Sequence, residues 1–242
     1  MANSLIIIPT YNEIQNISLI IKAVFEQSID CHVLIVDDNS PDGTANIVEE
    51  LQLVYPEKLF LEKRSGKLGL GTAYIHGFKW ALVKSYEYVF EMDADFSHDP
   101  VDLIRMYKTA KNEKLDMVIG SRYIKGVNVV NWPISRVLLS YGASKYVRLI
   151  TGMPINDTTA GFVCYSRKLL EQINLNNIKF VGYAFQIEMK FKAYLLKCSY
   201  KEIPVIFTDR SKGESKMSKG IISEAIFGVI QMKLKSIFNN HE

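Results

Sequence analysis

The stretch Leu5-Ile6-Ile7-Ile8-Pro9-Thr10-Tyr11-Asn12-Glu13 decides the fold. Its leading apolar residues, mostly β-branched, form a run too short for a helix and are halted by a proline. A run that is apolar at every position, not every second one, reads as a strand buried on both faces. That is the pattern of a parallel sheet covered by helices on either side. Working outward, residues 16–25 carry Ile17, Ile20, Ile21, Val24 and Phe25 at helical spacing, and His32-Val33-Leu34-Ile35-Val36 reads as a second strand. This run ends in Asp37-Asp38-Asn39-Ser40-Pro41-Asp42-Gly43-Thr44, dense in turn formers, ahead of a helix over 45–54. Short strands at 59–61, 88–90 and 116–119 alternate with helices over 71–84 and 101–112. The alternation predicts an α/β fold with a parallel, doubly covered sheet at least through residue 120.

Beyond that point the pattern predicts an amphipathic, basic segment at 132–150, a strand at 161–165, a helix at 184–196, a strand at 203–207 and an amphipathic tail at 221–238. No internal repeat, low-complexity stretch or linker divides the chain, so residues 1–242 are expected to form one domain. The chain is 48% hydrophobic and 23% charged, which is ordinary for a soluble globular protein. A formal net charge of +3 is too mild to argue for nucleic acid as a partner. Cys31, Cys164 and Cys198 lack metal-type spacing, and their odd number disfavours a disulfide framework. A reducing, cytoplasmic setting is expected. The amino terminus lacks a basic, apolar leader, and no run of about 18 apolar residues is present to span a membrane.

Ligands of parallel sheets sit beyond the carboxyl ends of the strands. In this chain Pro9 to Glu13, Asp37-Asp38, Arg64 and Asp93/Asp95 all fall at such ends, which points to one shared crevice. The most telling group is Met92-Asp93-Ala94-Asp95-Phe96-Ser97-His98, after a strand expected to end at Asp93. Two carboxylates one residue apart repel each other unless a cation lies between them. Mg²⁺ or Mn²⁺ would relieve that repulsion and keep positions open for substrate phosphates. An EF-hand is excluded, because the sixth and twelfth loop positions would be His98 and Ile104. Asp37 and Asp38 suit either turn chemistry or hydrogen bonds from a nucleotide base or ribose. Gly69-Leu70-Gly71 has Tyr74 where a dinucleotide fingerprint has its third glycine. Arg122 follows a strand end; Arg210, Lys212, Lys216 and Lys219 form a basic loop able to fold over phosphates. The two amphipathic segments suit either core helices or a membrane interface facing anionic lipid.

Seven segments in order carry a resemblance: Pro9 to Glu13, Asp37 to Thr44, Lys67-Leu68-Gly69-Leu70-Gly71-Thr72-Ala73-Tyr74, Met92 to Asp95, Gly120-Ser121-Arg122-Tyr123, Asp157-Thr158-Thr159-Ala160-Gly161-Phe162 and Gly182-Tyr183-Ala184-Phe185-Gln186-Ile187-Glu188-Met189. Together they resemble the family 2 glycosyltransferases, and within them the dolichol- and polyprenol-phosphate mannosyltransferases. The resemblance implies a GT-A fold and inverting transfer of mannose from GDP-mannose to a polyprenyl or dolichyl phosphate. By matching motif, Pro9, Tyr11, Glu13, Val36 and Asp38 would hold the guanosine. Asp93, Ala94 and Asp95 would line the donor site, with Asp93, Asp95 and Ser97 serving a Mg²⁺ or Mn²⁺ ion. Arg122, Arg136 and Ser140 would meet the acceptor phosphate, and Arg210 with Lys216 the donor diphosphate. Catalysis would rest on Asp95, Arg122, Arg136 and Arg210. Residues 1–120 would form the nucleotide-binding half, 121–218 the acceptor-binding half and 219–242 an amphipathic helix. The protein would work peripherally on the cytoplasmic face of a membrane, through its amphipathic segments or a membrane-anchoring partner subunit. Asp157 and Glu188 are expected to orient the sugar or the arginines.

The alternatives are another sugar nucleotide as donor, such as UDP-glucose or UDP-GlcNAc, a nucleotidyltransferase, and a non-catalytic lipid-binding scaffold. A nucleotidyltransferase calls for a glycine-rich loop after the first strand, which Pro9 to Glu13 is not.

Overall fold

Residues 5–8 lie at the centre of a seven-stranded sheet. Leu5 and Ile7 pack into one apolar cluster and Ile6 and Ile8 into another, which is why no position in the run is polar. The computed structural model describes residues 2–209 and 219–238. Its elements are β1 (Ser4–Thr10), α1 (Ile17–Phe25), β2 (Cys31–Asp37), α2 (Thr44–Val54), β3 (Leu59–Lys63), α3 (Leu70–Val83), β4 (Tyr88–Glu91), α4 (Asp102–Asn112) and β5 (Met117–Ser121). They continue with β6 (Val129–Val130), α5 (Ile134–Thr151), β7 (Val163–Ser166), α6 (Arg167–Gln172), α7 (Tyr183–Leu195), β8 (Tyr200–Pro204), β9 (Phe207–Thr208) and α8 (Lys219–Phe238). Helices α1, α2 and α4 cover one face of the sheet; α3, α6 and α7, with residues of α5 and α8, cover the other.

The strand order is β3-β2-β1-β4-β7-β5-β8. All neighbours are parallel except β7, which runs antiparallel to both β4 and β5. The order reverses between β1 and β4, and a crevice opens at such a switch point. A parallel strand brings the loop that follows it to this edge. The antiparallel β7 instead brings the loop that precedes it, because Val163 at its start pairs with Glu91 at the end of β4. Residues 157–162 thereby join the site.

Three expectations need correction. The strand before the paired aspartates ends at Glu91, not Asp93; the Met92 amide still donates to Ile7 O at 3.1 Å, and the Asp93 amide turns away to a side chain. The run expected as one strand at 203–207 is split between β8 and β9, the latter pairing with β6 in a separate two-stranded sheet. Helix α6 lies where no element was expected. No helix among the described residues is long and apolar enough to cross a membrane.

The Gly69-x-Gly71 pair serves packing. Gly69 has φ 100°, open to glycine alone without strain, and a Cβ on Gly71 would lie 2.7 Å from Phe185 Cγ and 2.8 Å from the Phe180 carbonyl oxygen. Because a backbone atom is one of the obstacles, Gly71→Ala is expected to lower stability by roughly 1–3 kcal/mol. An unchanged denaturation midpoint for that variant would contradict the packing described.

Candidate active site

The loops after β1 and β2 are stitched together by side chains that accept backbone amides. The amides of Asn12, Glu13 and Ile14 donate to Ser40 Oγ, Thr44 Oγ1 and Asp42 Oδ2 at 3.0, 3.0 and 3.1 Å. Three consecutive donors are thus satisfied without secondary structure, which fixes the path of residues 9–14. Asp37 and Asp38 divide two jobs. Asp37 is buried, accepts from Thr10 Oγ1 at 2.8 Å and from the Ser40 amide at 2.9 Å, and so holds the turn. Asp38 faces the other loop: Oδ1 accepts from Arg64 Nε at 2.5 Å and Oδ2 from the Leu68 amide at 3.1 Å. Arg64 also reaches Thr72 Oγ1 and the Gly69 carbonyl, tying the start of α3 to this corner. Lys67 lies over the Tyr11 ring, 4.6 Å from its centroid. The Val36 side chain belongs to the core, so only its main chain is available to a ligand.

At the end of β4, Asp93 and Asp95 sit in a tight turn. The Ser97 amide donates to Asp95 Oδ1 at 3.1 Å, and Phe96 adopts φ 61°, a costly conformation for an aromatic residue. Tyr74, wholly buried, donates its hydroxyl to Asp93 Oδ1 at 3.3 Å; burial and then the Asp93 charge hold its pKa well above the ordinary value, so it remains a donor. Ala94 packs into the core between the two carboxylates. Sequence reasoning passed over His98. Its ring is buried against Phe162 and Phe207, and Nδ1 accepts the Asp93 amide at 3.1 Å. Burial pushes its pKa down to about 4, with the Arg122 charge acting in the same direction. His98 is therefore neutral, and its 4.0 Å approach to Asp93 Oδ2 is not an ion pair.

These residues fit a divalent cation. Asp93, Asp95 and Ser97 offer hard oxygen donors, and the Ser97 hydroxyl is buried with no hydrogen-bond partner. Among the described residues no group of three or more His, Cys, Asp or Glu side chains is placed to hold a metal alone.

The opposite wall is cationic and aromatic. Arg122 donates from Nε and Nη2 to Asp157 at 2.7 and 2.6 Å and from Nη2 to Thr159 Oγ1 at 2.7 Å. Asp157 has no exposed surface; burial raises its pKa, but Arg122 outweighs this and holds the carboxyl below its usual range. Glu202 accepts the amides of Asn156 and Asp157, fixing that loop in turn. Trp132 stands between two arginines, 5.5 Å from Arg122 and 4.0 Å from Arg136. Arg136 pairs with Asp209 at 2.8 Å, and Ser140 lies one turn further along α5.

Of the residues expected in the site, the structure thus gathers Pro9, Tyr11, Glu13, Asp38, Asp93, Asp95, Ser97 and Arg122 at one sheet edge, with Arg136 joined to Arg122 through Trp132. Arg210 and Lys216 lie outside the described residues. Asp157 orients an arginine, whereas Glu188 accepts the amides of Lys179 and Phe180 and shapes the loop before α7. A group not anticipated is the buried set Glu91, Gln186 and Lys190. Its signal was a glutamine and a lysine four apart on the apolar face of a helix.

Asp157 yields a pH prediction. Its folded pKa lies below the ordinary 3.8, so its stabilising contribution is complete above that value and is lost as pH falls below it, through the lower folded pKa. Asp157→Asn is expected to cost about 3–5 kcal/mol at neutral pH by leaving Arg122 buried and unmatched. Wild-type stability should also decline more steeply than the variant's below about pH 4. Parallel acid unfolding curves would refute the pairing.

Solved structures share this architecture. The chain matches glucosyl-3-phosphoglycerate synthase from Mycobacterium tuberculosis in complex with UDP at TM-score 0.65 and 15% identity, covering 97% of this chain and 79% of that one. A mannosyltransferase from Pyrobaculum calidifontis, in complex with GDP-Man and Mn²⁺, matches at TM-score 0.62 and 18% identity, covering 100% of this chain and 65% of that one. The expected GT-A architecture, a mostly parallel sheet flanked by helices, is the one observed. Sequence relatives are nearer. A polyprenol monophosphomannose synthase from Mycolicibacterium smegmatis is 43% identical over 96% of this chain and 87% of its own length. An undecaprenyl-phosphate mannosyltransferase from Micrococcus luteus is 41% identical over 95% and 93%. With the model of glycosyl transferase family 2 matching residues 5–173, the chain belongs to that family.

Proposed function

We propose that this protein transfers mannose from GDP-mannose to a polyprenyl or dolichyl phosphate, with inversion, giving polyprenyl β-D-mannosyl phosphate. One observation carries the reading: the oxygen donors at Asp93, Asp95 and Ser97 and the arginines Arg122 and Arg136 gather at one sheet edge, linked by His98, which accepts the Asp93 amide and packs on Phe207, the ring against which Arg122 also lies. One wall suits a nucleotide diphosphate with its cation, the other an anionic acceptor. The names of the relatives at 43% and 41% identity support the same donor sugar and acceptor class.

A lipid phosphate monoester is already largely ionised near neutral pH, its second pKa being about 6, so the acceptor needs no general base. The protein's work is then positioning and charge stabilisation. Pro9, Tyr11, Glu13, Asp38 and the main chain of Val36 hold the guanosine. Arg210 and Lys216 are assigned to the donor diphosphate by their place in the basic segment 210–219. When bound to Asp93, Asp95 and Ser97, Mg²⁺ or Mn²⁺ supplies positive charge against the departing diphosphate. Arg122, held by Asp157, and Arg136 with Ser140 direct the acceptor phosphate to the far face of the sugar carbon.

The acceptor is a lipid, and the exposed apolar residues suit one. Ile134, Leu138 and Leu149 of α5 are 77, 65 and 82% exposed and Phe227 of α8 is 73% exposed. Lys233 of α8 donates to the Thr151 carbonyl at the end of α5, so the two helices meet. This surface is assigned to peripheral contact with the cytoplasmic face of a membrane.

The test is to incubate purified protein with Mg²⁺ or Mn²⁺, a short polyprenyl phosphate and radiolabelled GDP-mannose, UDP-glucose or UDP-GlcNAc in parallel. Label is expected in the organic phase from GDP-mannose alone. Transfer from a UDP-sugar instead would correct the donor, and no transfer from any would sink the reading. Asp95→Ala is expected to reduce transfer by at least roughly a hundredfold while metal-free GDP binding persists. Near-normal turnover in that variant would remove Asp95 from the chemistry.

A further inference from the structure

Helix α7 carries two polar side chains on the face it buries. Gln186 and Lys190 are 2% and 0% exposed, flanked by Phe185, Met189 and Ala193 of the core. The Lys190 ammonium has three acceptors for its three protons: the Ala160 carbonyl at 2.6 Å, the Gln186 amide oxygen at 3.1 Å and the Gln186 carbonyl at 3.3 Å. The Gln186 amide nitrogen continues the chain, donating to Glu91 Oε2 at 2.9 Å. Glu91 is the last residue of β4, two residues before Asp93. Ala160 lies in the loop that enters β7, three residues after Asp157. One lysine therefore ties the strand presenting the paired carboxylates to the loop holding the partner of Arg122. The next residue, Gly161, abuts the site itself: a Cβ there would lie 3.5 Å from His98 Cε1 and 3.9 Å from both Asp93 Oδ2 and Gln186 Nε2.

Stability alone is a poor reason for this arrangement. Burying two ionisable groups carries a heavy desolvation cost, and apolar side chains of similar volume fill such space without it. The cost is visible here: burial raises the pKa of Glu91 and lowers that of Lys190, and Glu91 Oε1 has no hydrogen-bond partner. Directional hydrogen bonds supply what apolar packing does not, namely fixed distances between the groups they join.

We propose that, in the transferase reading above, Lys190 is a positioning residue. Acting through Gln186 and the Ala160 carbonyl, it sets the spacing between the carboxylates after β4 and the Arg122–Asp157 pair, and so between leaving diphosphate and acceptor phosphate. Neither Lys190 nor Gln186 touches the reacting atoms; their effect reaches the chemistry through the two elements they join.

Lys190→Met keeps an unbranched apolar stem, one atom shorter than lysine's, and removes its donors. The variant is expected to lose roughly a hundredfold in kcat, the cost of an ångström-scale misplacement. Metal-free GDP binding should be unchanged, because the corner formed by Tyr11, Asp38 and Arg64 does not involve the lysine. The extra GDP affinity that Mn²⁺ confers should fall, and the amides of residues 158–161 should exchange hydrogen faster. A lower melting temperature with kcat and Mn²⁺-supported binding retained would mean a structural role only and overturn the proposal. Because Lys190→Met removes the positive charge near Glu91, the double variant Glu91→Gln/Lys190→Met is measured alongside. It removes the buried acid without restoring the tie to Ala160, so it should fold and remain impaired. Recovery of wild-type kcat in the double variant would show that the lysine only balances Glu91, and would overturn the proposal as well. Should the wild type transfer no sugar at all, the transferase reading fails separately, and the Mn²⁺-supported part of GDP affinity decides the role of Lys190.

Discussion

Asp157 has no exposed surface, and a carboxylate in that position is tolerable only because Arg122 meets it with a forked pair of hydrogen bonds. The rest of the site follows from that match. Arg122 is drawn inward against Tyr123, Trp132 and Phe207, and Trp132 in turn packs against Arg136. Glu202 accepts the amides beside Asp157, so the carboxylate is fixed from behind as well as in front. A buried ion pair contributes little net stability compared with apolar packing. Its value lies in placing a permanent positive charge at a set position on the crevice wall. Without Asp157 the guanidinium would be left buried and unmatched, and the loop before β7 would lose one anchor while keeping its bonds to Glu202 and the bond Thr159 accepts from Arg122.

Much of this was legible in the chain, for a physical reason. A strand buried on both faces must be apolar throughout, so residues 5–8 and 32–36 announced a covered parallel sheet, and the polar residues after them had to be its ligand edge. The direction of β7 was not legible. Val163, Cys164 and Tyr165 are buried whichever way the strand runs, since the two apolar clusters accept alternate residues in either sense. Only the pairing of Val163 with Glu91 brings residues 157–162 to the site. The same holds for His98, whose role depends on Phe162 and Phe207, both distant in the chain. Local chemistry left its mark on sequence; contacts between remote segments did not.

The adjacent pair Asp37-Asp38 shows where type and spacing run out. Both turn chemistry and ligand contact suited them; the structure shows turn chemistry at Asp37 and, at Asp38, a bond to a remote arginine that neither reading named. Asp37 satisfies a turn within three residues of itself, a local bond of the kind short acidic side chains make. Asp38 pairs with Arg64, twenty-six positions away in the chain. Arg64 was visible as a residue at a strand end, but its partner could not be read from either sequence position alone.

The two walls of the crevice are held by different means, and this bears on how the site works. The corner after β1 and β2 is bound by backbone amides of residues 12–14 donating into the neighbouring loop, short bonds between adjacent segments that leave little freedom. The arginine wall is held by side chains: Arg122 on Asp157, Arg136 on Asp209, with one indole touching both arginines. Side-chain pairs of this kind are free to exchange an acidic partner for an incoming phosphate, at least for the half-buried Arg136, whereas the fully buried Asp157 is in no position to yield. Arg122 is thus the fixed point and Arg136 the adaptable one. A tightly bonded corner beside a wall with one fixed and one exchangeable cation suits the proposed reaction, whose nucleotide is always the same size while its lipid arrives from outside on a long, variable chain.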